Sequence, residues 1–113
     1  MRRRSDLYLR DILEAIARIS EYTMSLDIEQ FGKSPLVIDA VLRNLEIIGE
    51  AAAQVPVEIK ERYQETPWRD IQDFRIVVAH HYWKVNLNRI WDILENKLEP
   101  LRKQIEEILS KEY

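Results

Sequence analysis

Cysteine is absent from the 113 residues, which excludes disulfides, thiol catalysis and cysteine-ligated zinc. That absence fits a reducing, cytoplasmic setting. Two glycines and four prolines are too few for an all-β protein with many tight turns, and they leave no Gly-rich phosphate loop. No window approaches the ~20 apolar residues that a membrane span needs. The opening "MRRRSDLYLRD" has a basic start with no apolar run behind it, so it does not read as a signal peptide. A strong positive balance is missing too: the net charge of −3 is unlike a protein that coats nucleic acid with a large basic face. Charge is regional. Arg2, Arg3, Arg4 and Arg10 make the N-terminus basic, whereas residues 27–66 carry eight acids against four bases. Any RNA contact is therefore expected to be local, or built across a dimer.

What the chain has is a 46% hydrophobic fraction spread through Leu, Ile and Val, the composition of a folded, soluble protein. Its length suits one domain over 1–113, with 1–5 a flexible basic tail. Leu9, Ile12, Leu13, Ile16 and Ile19 recur at helical spacing behind a cap at Ser5. "SLDIEQFGKS" breaks the pattern and leaves room for a short turn of helix. Ser34-Pro35 reads as an N-cap followed by proline at the first helical position. Ile38, Val41, Leu42, Leu45, Ile48, Ala52 and Val55 then form an apolar stripe, widened by Ile47 and Ala51, that marks a central bundle helix. Gly49 in its interior costs about 1 kcal/mol relative to Ala, which suggests that another backbone comes close there.

Val55-Pro56 ends that helix, and "VEIKERYQ" is a short amphipathic piece. Thr66-Pro67 repeats the cap-plus-proline signal before "WRDIQDFRIVVA". Asn86 caps a last segment whose Leu87, Ile90, Trp91, Leu94, Leu98, Leu101, Ile105 and Ile108 keep one register, with Pro100 expected to kink or restart the helix in the same direction. The expected fold is all-α, an antiparallel up-and-down bundle of about four main helices plus one or two short ones.

The only two histidines sit together in "DFRIVVAHHYWKV", residues 73–85. Adjacent histidines on a helix point about 100° apart and chelate one ion poorly. No His-Glu-x-x-His or Glu-x-x-His occurs, and Glu46 with Glu50 reads as a solvated stripe, so neither a metal nor a cofactor is expected. Arg75 and Tyr82 fall on nearly the same side of an ideal helix, whereas His80 lies about 140° from Arg75 and His81 about 120° away on the other side. Cooperation of Arg75 with a histidine requires the helix to end or loosen near 79–81, or a partner from another chain. The plainer alternative is a helix C-terminus decorated with histidines that the dipole favours.

The succession "RDILEAIARISEY" (10–22), "DAVLRNLEIIGEAA" (39–52), "PWRDI" (67–71) and "RIVVAHHY" (75–82) resembles the HepT-like toxins of the HEPN superfamily, found in type VII toxin–antitoxin pairs. The resemblance runs over roughly residues 7–108, and Arg75, His80 and Tyr82 match the family's R-x4-H-x-Y motif. It leaves His81 in the motif's variable position. It implies a metal-independent endoribonuclease on a HEPN fold, working as a homodimer whose two motif segments share a cleft. A histidine with a pKa near ~6.5 can take a proton from the ribose 2′-hydroxyl or give one to the leaving oxygen. Arg75 can hold the scissile phosphate. The resemblance also implies an MntA-type nucleotidyltransferase antitoxin that transfers AMP to Tyr82, placing bulky negative charge beside Arg75 and His80.

One residue departs from the family pattern. Many members carry Asn or Asp directly after the motif arginine, where this chain has Ile76. Asp73, Asn44 and Glu50 are candidates to supply the missing polar group. The alternative is a catalytically weak HEPN interaction module in complex with a nucleotidyltransferase.

Overall fold

In the computed structural model of the protein, residues 4–81 and 86–113 are described. Helix α1 (Ser5–Thr23) follows the first apolar stripe, and Leu9, Ile12, Ile16 and Ile19 are all buried. It starts one residue earlier than the capping signal suggests: Arg4 occupies the cap and Ser5 is already helical. The Ser5 hydroxyl instead shares a hydrogen bond with the Tyr113 hydroxyl, joining the two ends of the described chain. Asp6 lies in the first turn, where negative charge suits the helix dipole. Burial alone would raise its carboxyl, but the hydrogen bond from Arg10 and the charges of Arg4 and Arg10 outweigh that and hold it below its ordinary value.

Helix α2 (Ile28–Gly32) is the short turn within "SLDIEQFGKS". A capping box makes it: the Asp27 carboxylate accepts from the Gln30 amide, and the Gln30 side chain accepts from the Asp27 amide. Helix α3 (Pro35–Gln54) begins with Pro35 at N1, as expected, although the Ser34 hydroxyl donates back to the Gln30 carbonyl and does not cap the helix. Its Val41, Leu45, Ile48 and Ala52 are fully enclosed. Helix α4 (Val57–Arg62) follows Pro56.

The next segment departs from the sequence reading. Pro67, not Thr66, caps α5 (Trp68–Gln72), and Thr66 is buried. The chain then breaks at Asp73 before α6 (Phe74–His81), dividing what reads in sequence as one helix. Helix α7 (Leu87–Asp92) is capped by the Asn86 side chain, which accepts from the Arg89 amide. A π-type turn (Ile93–Lys97) leads directly into α8 (Leu98–Glu112). Pro100 therefore produces no break: the widened turn, in which the Leu98 amide bonds the Ile93 carbonyl, lies just ahead of its ring.

The all-α bundle expected from the sequence is the fold observed among the described residues. Helix α3 is its centre, packed against α1 on one side and against α5 and α6 on another, while α1 also packs on α8 and α2 bridges α3 and α7. No helix among the described residues is long and apolar enough to cross a membrane.

Candidate functional site

The site is built where α6 crosses α3. The buried face of helix α3 is mostly aliphatic, and Gly49 on it lies beneath the junction of α5 and α6. A Cβ at position 49 would stand 2.7 Å from the Arg75 Cγ, 3.2 Å from the Gln72 carbonyl oxygen and 3.3 Å from the Arg75 amide nitrogen. The close approach that the lone interior glycine predicted is thus an approach to this junction, and the stem of Arg75 fills the notch.

A second tether fixes Arg75. Its Nε donates to the Gln72 carbonyl at 3.2 Å, across the break between the helices. That carbonyl lies at the C-terminus of α5, where a cation meets the negative end of the dipole. The Ile76 amide meanwhile bonds the Asp73 carbonyl at 2.9 Å. Arg75 is exposed, and among the described residues no carboxylate stands within ion-pair distance of it. A fixed guanidinium facing solvent without a neutralising carboxylate is equipped to take an external anion.

Arg75 and His80 both belong to α6, and the helix is continuous between them, so the loosening that would align them is not present there. Five residues along a helix is about 140° of rotation. The imidazoles of His80 and His81, and all of Tyr82, lie outside what is described. Ile76 follows Arg75 and is 51% exposed, an apolar side chain at the site's edge.

The three supporting candidates lie in different surroundings. Asn44 is buried and engaged within α1 and α3: its amide donates to the Ala40 carbonyl at 2.8 Å and accepts from Arg18 at 3.4 Å. Glu50 is exposed, next to the notch in sequence, and makes no ion pair among the described residues. Asp73 is half-buried and borders a cavity of about 560 Å³ with Asp70, Arg89, Asp92 and Lys97, which Arg75 does not line. Missed in the sequence was the Gln72 carbonyl, a backbone group whose only trace is its three-residue spacing from Arg75. No group of three or more potential metal ligands occurs among the described residues.

Comparison with known proteins adds to this geometry. A family described as "Ribonuclease HepT-like" matches residues 12–108. A Methanocaldococcus jannaschii protein named "Gamma-glutamylcyclotransferase and putative RNase" is 34% identical over 110 residues, 97% of this chain but 50% of that relative, so the chain spans half of its length. A "Putative RNase" of Caldanaerobacter subterraneus subsp. tengcongensis is 37% identical over 105 residues, 93% of this chain and 94% of its own. The "Probable ribonuclease HepT" of Thermococcus cleftensis is 34% identical over 108 residues, 96% and 98% of the two chains. No solved structure matches the chain. With the family match running from within α1 to within α8, across the Gly49 notch and the Arg75–Tyr82 motif, the chain belongs to the ribonuclease HepT-like family.

Proposed function

We propose that the chain is a metal-independent endoribonuclease, the toxin of a toxin–antitoxin pair. Family membership and the relatives' names support the ribonuclease class. The observation that carries the site assignment is Arg75, held at stem and Nε and uncompensated by any described carboxylate. In the proposed reaction the ribose 2′-oxygen attacks the adjacent phosphorus while a histidine takes its proton. The bond to the 5′-oxygen breaks, and that oxygen receives a proton from a second acid. The products are a 2′,3′-cyclic phosphate and a 5′-hydroxyl. Arg75 holds the phosphate and stabilises its growing charge. His80 is the proposed acid or base. Because Arg75 and His80 occupy register positions about 140° apart on one α6, the cleft takes its pair from two protomers of a homodimer.

In this proposal the toxin is silenced by a nucleotidyltransferase of the MntA type. The Tyr82 oxygen attacks the α-phosphorus of ATP, pyrophosphate leaves, and the phenolic proton is released. Purified protein incubated with RNA in EDTA tests the nuclease: Arg75→Ala is expected to lose about 10²–10³-fold in rate, and His80→Ala about 10²–10⁴-fold. Equal inertness of wild type and both variants at neutral pH would reject the enzyme. The half-exposed Ile76, standing where many members carry Asn or Asp, favours a second reading: a catalytically weak HEPN module that docks a nucleotidyltransferase. That outcome would be marked by complex formation and AMP transfer without cleavage. Unchanged labelling of Tyr82→Phe would reject Tyr82 as the acceptor.

A further inference from the structure

We infer that Gly49 is a positioning residue for Arg75, the inference resting on the reading of Arg75 as the phosphate-binding arginine. On helix propensity alone, alanine at 49 would favour α3. The surroundings oppose it. A methyl group there would meet the Arg75 Cγ at 2.7 Å, well inside van der Waals separation, with the Gln72 carbonyl and the Arg75 amide at 3.2 and 3.3 Å. The two backbone atoms belong to helices packed on α3 and yield only by moving them. The stem can yield by turning about its own torsions. That rotation takes the Nε away from the Gln72 carbonyl and swings the guanidinium off its line. The missing side chain at 49 therefore sets where the charge of Arg75 points, from the neighbouring helix α3.

A four-protein cycle tests this: wild type, Gly49→Ala, Arg75→Ala and the double variant, each as the full chain. Thermal midpoints are read by circular dichroism, and single-turnover cleavage is read on a labelled single-stranded RNA oligonucleotide of mixed sequence in EDTA. Gly49→Ala is expected to fold and to lose about 10–100-fold in rate, the scale of an ångström-sized misplacement. In the Arg75→Ala background the same change should alter the rate by no more than about twofold, because no stem remains to displace. The thermal cycle should show the same coupling, with Gly49→Ala lowering the midpoint less once the Arg75 Cγ is gone. A folded Gly49→Ala that cleaves like wild type while Arg75→Ala is inert overturns the inference. So does an equal thermal loss in both backgrounds, which would assign the notch to the backbone contacts alone. Wild-type cleavage by Arg75→Ala would instead overturn the catalytic reading of Arg75, and the thermal cycle would still read the contact.

Discussion

Replacing Phe31 by alanine would remove the ring that joins α2 to α7. The side chain is fully enclosed, and its centroid lies 5.2 Å from that of Trp91 with the planes tilted by 42°. Truncating a buried phenylalanine costs about 3–5 kcal/mol, of which the aromatic pairing accounts for roughly 0.5–1.5 kcal/mol. For a chain of 113 residues the unfolding entropy near the midpoint is about 0.24 kcal/mol/K, so the loss corresponds to a fall of roughly 13–21 °C. It is also a fifth or more of the ~5–15 kcal/mol typical of such a domain. Urea titration at fixed temperature with circular dichroism measures the free energy directly. In a Trp91→Leu background the penalty should shrink by about the pairing share of 0.5–1.5 kcal/mol. A Phe31→Ala cost below about 1 kcal/mol would refute the reasoning, because it would mean that α2 is not a seat for α7.

Glu112 accepts hydrogen bonds from Arg62 and Tyr63, which hold its carboxyl below the ordinary 4.5. A lowered carboxyl stabilises the fold above the unfolded value and loses that contribution as pH falls through the folded one. The urea midpoints of wild type and Glu112→Gln should therefore differ at pH 7 and converge below pH 4.5; a gap unchanged down to pH 3 would contradict this. Asn86→Ala removes the acceptor for the Arg89 amide and should cost about 1 kcal/mol by denaturant unfolding, with Asn86→Ser retaining most of it. Pro100→Ala should shift stability by less than about 1 kcal/mol, because the π-type turn already accommodates the ring; a gain near the ~3 kcal/mol cost of an interior helix proline would show that it does not.

The sequence carried the parts of this molecule that local chemistry decides. Ser34-Pro35, Asn86 and the Val55-Pro56 stop lie where their backbone preferences put them. Gly49 was legible as a close approach because nothing local justifies a glycine in an apolar helix interior, but what approaches it could not be read. The break at Asp73 carries no proline or glycine. It comes with the packing of the Gln72 carbonyl over α3, a tertiary contact, beside a local bond from the Arg75 side chain. The same limit applies to the last helical run. The apolar pattern placed Leu94 in the buried stripe, yet Ile93 is the buried residue and Leu94 only partly so. One π-type turn carries the burial from Ile93 to Leu98, a five-residue step that α-helical periodicity does not count. The motif arginine was legible and its surroundings were not: Asn44, an open candidate in sequence, is committed to Ala40 and Arg18.

The notch at Gly49 also bears on how costly it is to capture a phosphate. A free arginine side chain carries about 2 kcal/mol of rotamer entropy, and an interface that immobilises it must offset that loss. In Arg75 the stem torsions are restricted by the notch and the guanidinium plane by the Gln72 carbonyl, so part of this freedom is already gone in the unliganded fold. On the proposed reading of Arg75 as the phosphate-binding arginine, the disorder is given up when the chain folds rather than when RNA arrives. Under that proposal, an acidic protein with little long-range pull on a polyanion holds a phosphate through pre-organisation where a basic one would rely on charge.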